Sequence, residues 1–159
     1  MLLILLTLYI CPPSTERYKE KIAHIESRGD YCANNGDHYG KYQFSLATIR
    51  GLIVKGYVDA PCDGLTIDYF LCHPWYQERV MNAHIYHQTE LIERMHLFRY
   101  KGKTIRGIKI TVERIFAGVH FVGPASMNHF LRTGSTRNKG KMLKKDRFGT
   151  TLTGYMRMI

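Results

Sequence analysis

One long amphipathic pattern limits the fold of this chain more than any other feature. From Pro74 to about residue 98, Met81, Ile85, Gln88, Ile92 and Met95 recur at spacings of four, three, four and three, and Leu91 and Phe98 widen the stripe. Proline suits the start of such a helix, because the first N–H has no intrahelical partner. A helix this long needs other elements to cover its apolar face, and most of the remaining sequence is helical too. Residues 16–28 place Tyr18, Ile22, Ile25 and Glu26 on one face. Ser45 can cap a helix over 46–55, with Leu46, Ile49, Leu52 and Ile53 inward and Gly56 just past its end. A short helix near 65–72 follows. Thr111 can cap another over 112–122, with Val112, Ile115, Phe116 and Val119 inward. Pro124 opens one that stops at Gly134, and Thr150 or Thr151 caps a last short helix through Leu152, Tyr155, Met156 and Ile159. Residues 29–43 read as a polar, glycine-punctuated insert, and "RYKGKTIRGIKI" as a loop or weak hairpin. The expectation is a mainly α single domain with a minor β or irregular insert and the 74–98 helix at its centre.

The chain has 159 residues, 45% of them hydrophobic, enough for one domain with a real core. That composition excludes a disordered protein. A net charge of +10 points to an anionic partner, and nucleic acid, acidic membranes and cell-wall polymers all qualify. The opening "MLLILLTLYIC" is too short to span a bilayer but has the size of a signal-peptide apolar region. No basic residue precedes it and no small-x-small site follows. Residues 1–13 are therefore expected to be a signal or membrane-proximal segment, ahead of a domain over 14–159. Cys11, Cys32, Cys62 and Cys72 contain no CxxC, which argues against a zinc ribbon or a thioredoxin-like site. Buried free thiols are the favoured reading, and a Cys62–Cys72 bridge is the alternative.

Glu26 is the position that calls for an explanation. It ends an apolar helical face, where burial disfavours the charged form of a carboxyl. A carboxylic acid that keeps its proton is what glycosidic cleavage needs, because the leaving oxygen must be protonated. Position alone is better served by a glutamate that ends a helix and pairs with a base such as Lys21 or Arg28. The neighbouring "GKYQF", 40–44, adds aromatic rings for sugar stacking and an amide that both donates and accepts. Gln43, Tyr42 and Tyr39 are candidate groove residues on that ground.

Three landmarks in order resemble the lysozyme-like lytic transglycosylases. Glu26-Ser27 followed by Gly40-Lys41-Tyr42-Gln43 resembles their Glu-Ser and Gly-x-x-Gln signature. "AGVHFVGPASMNHFLRTG", 117–134, resembles their alanine-rich helix with its histidine, and "DRFGTTLTGYM", 146–156, resembles their terminal segment. The departures are Asp37-His38-Tyr39 before Gly40, and Ala117-Gly118-Val119-His120 where the family has an alanine pair before the histidine.

The resemblance implies a lysozyme-like fold and cleavage of the MurNAc–GlcNAc β-1,4 bond of peptidoglycan, with Glu26 as acid and then base. It implies substrate contacts for Ser27, Gln43, Tyr42, Tyr39, His120 and Tyr155. A hydrolase would need a second carboxylate, for which Asp30 and Asp37 are available. No cofactor or metal is expected. His84 and His87 stand at i, i+3 but lack the HExxH pattern, and read as helix surface or groove wall. The expected partners are peptidoglycan strands and, through the basic 137–147 run, anionic wall polymers; nucleic acid is not expected, because aromatics do not interleave with that run. The expected state is a monomer, exported to the cell envelope or periplasm, or phage-associated. The alternatives are a non-catalytic module that binds wall or nucleic acid, and a wall-opening component of a secretion or phage machine.

Overall fold

Six of the described helices begin where a side chain caps the first turn or a proline opens it. Ser45, Thr66, Thr111 and Thr151 each accept a hydrogen bond from the backbone N–H three residues on, at Thr48, Tyr69, Arg114 and Gly154. Pro74 and Pro124 open two more. The computed structural model describes residues 15–138, 141–143 and 149–159. The expectations for residues 1–13, Ser14, Lys139, Lys144, Lys145, Asp146 and Arg147 lie outside the described residues.

The helices run α1 (Thr15–Ser27), α2 (Leu46–Val54), α3 (Ile67–Cys72), α4 (Pro74–Arg94), α5 (Val112–Val122), α6 (Pro124–Thr133) and α7 (Leu152–Met158). The protein is mainly helical. Two small antiparallel pairs accompany them: β1 (Thr104–Ile105) with β2 (Ile108–Lys109), and β3 (Arg137–Asn138) with β4 (Lys141–Met142). The first pair turns through Arg106 and Gly107, both at positive φ (50° and 72°), which suits the right-handed twist of a tight hairpin. No described helix is long and apolar enough to cross a membrane.

The core corrects two expectations. The α4 helix packs against α2, α3, α5 and α6, and α5 shares the centre of the core with it. Residues Ile115 through Val119 and Phe121 are all buried, and α5 packs against α4, α6 and α7. Gly118 permits this, since a Cβ there would fall 2.4 Å from Met127 Sδ on α6. Meanwhile α4 leaves Trp75 and Tyr86 exposed, and it stops at Arg94 rather than near 98. His96 adopts a left-handed φ of 53° there, and a 3-10 turn over Leu97–Tyr100 carries the chain away. The second correction concerns the thiols. Cys32, Cys62 and Cys72 are free but exposed, on loops or a helix end, and no Cys62–Cys72 bridge forms.

Two neighbouring α4 side chains hold the irregular insert between α1 and α2. Gln77 is fully buried; its Oε1 accepts from Lys41 N (2.8 Å), and its Nε2 donates to Tyr31 O and Phe70 O (both 2.9 Å). Glu78 accepts from Lys19 (2.8 Å), Lys41 (3.2 Å), Tyr31 (2.7 Å) and Tyr42 (2.8 and 2.9 Å). Burial opposes the Glu78 charge, but the bonds from Lys19, Tyr31 and Tyr42 outweigh it and pull its pKa down to about 2. Within the insert, single bridges pair Asn34 with Tyr39 and Tyr39 with Phe44.

Candidate active site

The end of α1 places Glu26. Arg28 and Gly29 both take left-handed φ values (59° and 86°), and Gly29 N–H turns back to Ala23 O at 3.1 Å. Helical geometry cannot continue through two such residues, so Glu26 and Ser27 form the last turn. The Glu26 side chain keeps 22% of its exposure and opens into a cleft of about 840 Å³. That volume lies within the usual range for small-molecule sites. Ile25, Phe44 and Phe121 give the cleft apolar walls, while Asp37, Gln43 and Thr150 bring polar groups to it.

Two side chains from the far end of the sequence meet the carboxylate. The Tyr155 hydroxyl on α7 donates to Glu26 Oε1 at 2.6 Å, a short O–H···O bond. The Tyr155 ring is held by stacking on Phe121, with centroids 4.6 Å apart and planes 16° apart. From α5, His120 Nε2 lies 3.7 Å from the same Glu26 oxygen. Glu26, His120, Tyr155 and Gln43 thus line one cleft.

The remaining candidates are placed differently. Ser27 Oγ donates to Lys41 O at 2.7 Å and so pins the insert to α1. Tyr42 is 1% exposed, and its hydroxyl is spent on Glu78; it does not line the cleft. Tyr39 also packs inward, donating to Gly36 O at 2.5 Å. Both rings shape the insert from within. Gln43 sits at a left-handed φ of 50°; its Nε2 donates to Gly40 O (2.9 Å) and its Oε1 accepts from Asn35 Nδ2 (2.7 Å). It braces the loop at the cleft's edge. Of the two spare carboxylates, Asp37 lines the cleft, whereas Asp30 accepts from Cys32 N and lies outside it.

His84, on α4, is a partly buried cleft wall, and burial, followed by the charges on His120 and His87, holds its imidazole well below the ordinary histidine pKa. His84 lies between Met81 and Gln88 on the same apolar stripe, so helical spacing carried the signal for its burial. His87 lies 3.1 Å from Lys55 Nζ and does not line this cleft. The described residues gather no group of three or more metal-ligating side chains. Sequence reasoning missed Phe44 and Thr48 as cleft residues, because a loop ring and a helix-start threonine carry no periodic signal.

No family model, curated protein or solved structure matches this chain. The chemistry of the site must therefore be read from its own atoms. It offers one half-buried carboxyl, hydrogen-bonded to a phenol, facing an imidazole, and open to a cleft with apolar and polar walls. Such a group can deliver a proton to a bound oxygen and take one back.

Proposed function

We propose that the protein is a lysozyme-like enzyme that cleaves the MurNAc–GlcNAc β-1,4 bond of peptidoglycan by the transglycosylase route. The observation that carries this reading is the Tyr155–Glu26 bond inside the cleft, at 2.6 Å. It joins the two ends of the chain that separately resemble the family, around a carboxyl in contact with the groove.

In this reading Glu26 starts protonated. It gives its proton to the glycosidic oxygen as the bond from that oxygen to C1 of the MurNAc unit breaks. The resulting carboxylate then takes the proton of the same sugar's C6 hydroxyl. The freed C6 oxygen closes on C1, giving a 1,6-anhydro ring and restoring the Glu26 proton. Tyr155 holds the carboxyl in place throughout. The apolar walls keep water from competing with the C6 oxygen. Asp37 in the same cleft supports a second reading, hydrolysis, in which its carboxylate serves as the second group.

Mass spectrometry of purified peptidoglycan digested by the full chain tests both readings. Anhydro-MurNAc ends support the transglycosylase route, and reducing ends support the hydrolase. Absence of glycan products, or full activity in Glu26→Gln, overturns the enzyme assignment.

A further inference from the structure

The cleft does not end at His120. A second recess of about 310 Å³ opens between α2, α4 and the turn from α5 into α6. Thr48, His84 and His120 line both, so the recess adjoins the cleft at that waist.

A glycine in α2 leaves the recess hollow. Gly51 lies inside the helix, where glycine is a poor helix former, and its φ is not positive. A Cβ there would meet nothing within 4 Å, unlike one at Gly40 or Gly118. Neither packing nor backbone conformation calls for glycine at this position, and its effect is open space in the recess wall.

The lining has two kinds of chemistry. Ala47, Leu52, Leu91, Val119 and Pro124 give aliphatic walls, and no phenyl, phenol or indole ring lines the recess, so a pyranose would find no such face to stack on. The cation at its far end is Lys55. Burial, followed by the Lys55 charge, lowers the His87 pKa, so the neutral imidazole accepts from the Lys55 ammonium at 3.1 Å and leaves two ammonium hydrogens to offer. Glu90, one turn on from His87, takes the Tyr57 hydroxyl instead. From Thr48 to Lys55 the recess follows two turns of α2, about 10 Å.

We propose that this recess holds the peptide arm of the wall strand, with the arm's methyl groups against the aliphatic walls and its first free carboxylate on Lys55. The proposal rests on the peptidoglycan reading above, because the muramyl sugar carries its peptide on a lactyl ether. A lactyl group followed by two extended residues reaches about 10 Å, the length from the waist to Lys55. The second of those residues is a glutamate with a free carboxylate.

Calorimetric titration of the full chain reads the recess without requiring activity. N-acetylmuramyl-L-alanyl-D-glutamate should bind at least about tenfold more tightly than N-acetylmuramic acid capped as its methylamide. Equal affinities overturn the proposal. Lys55→Met should weaken the peptide-bearing ligand about fivefold, as should conversion of its glutamate carboxylates to amides. An affinity unmoved by either change overturns the assignment of Lys55. Gly51→Leu fills the recess with a better helix former, so its Tm should stand at or above that of wild type while the tenfold preference disappears. A preference retained in that variant places the peptide elsewhere and overturns the proposal. If Gly51→Leu does not fold, Lys55→Met, at an exposed position, and the ligand series still decide. In wall cleavage, kcat/KM should be at least about tenfold higher on peptide-bearing strands than on strands stripped by an amidase. Equal values on the two substrates overturn the proposal and leave the enzyme assignment standing. Preferential muramyl-peptide binding in a chain that cleaves no wall upholds the recess and removes the proposed activity.

Discussion

Tyr155 and Glu26 stand 129 positions apart in the chain and share a 2.6 Å hydrogen bond at the bottom of the cleft. Neither helix could make this contact alone. The α7 helix packs on α5, and Phe121 of α5 stacks under the Tyr155 ring and aims its hydroxyl at α1.

Removing either partner should separate chemistry from folding. Glu26→Gln keeps the shape of the side chain and removes its acid–base function, so glycan release should fall by at least about a hundredfold. Tyr155→Phe keeps the Phe121 stack and loses one bond to a charged group. That bond is worth roughly 1.5–3 kcal/mol, so the rate should drop about 10- to 100-fold. Both variants should show native circular dichroism; a wild-type rate in either would contradict the assigned role.

The Glu78 network should make stability depend on pH in the acid range. Its pKa is pulled down to about 2 in the folded protein, from an ordinary value of 4.5. A depressed carboxylate stabilises the fold fully above its unfolded pKa and loses that contribution as pH falls through the folded one. Wild-type protein should therefore lose on the order of 2 kcal/mol between about pH 5 and pH 2 that Glu78→Gln does not lose. Near neutral pH, Glu78→Gln leaves the buried Lys19 and Lys41 under-compensated and should cost about 3 kcal/mol. Urea midpoints of both proteins across that pH range check the sign and the size.

Gly40→Ala should damage the insert. Gly40 has a φ of 75°, and a Cβ there would lie 2.2 Å from Gln77 Oε1. Gln77 is fully buried and makes three hydrogen bonds, so it has nowhere to move. A loss above about 3 kcal/mol is expected by chemical denaturation. A stability within error of wild type would show that the insert does not dock on α4 in this way.

The exposed thiols offer a chemical check on the fold. Cys32, Cys62 and Cys72 should all be labelled by a thiol reagent without denaturant, as mapped by peptide mass spectrometry. Protection of any of them, or a Cys62–Cys72 disulfide, would contradict the structure.

The sequence by itself determined the helices of this protein. Four-three spacing marked α4, and hydroxyl residues and prolines marked most of the starts, because helix period and capping are local energies between residues a few positions apart. It also singled out Glu26, as a carboxyl at the end of an apolar face. The tertiary structure alone decided what Glu26 meets, since residues 26, 120 and 155 come together only when α1, α5 and α7 dock. It also decided how closely α6 packs on α5, an approach that Gly118 permits but does not announce. Tyr39 and Tyr42 pack inward rather than lining the cleft, because Gln77 and Glu78 draw the insert onto α4. Buried Lys19 and Lys41 were illegible for the same reason: a lysine is buried only where distant partners neutralise it, and no local pattern reports which partners those are.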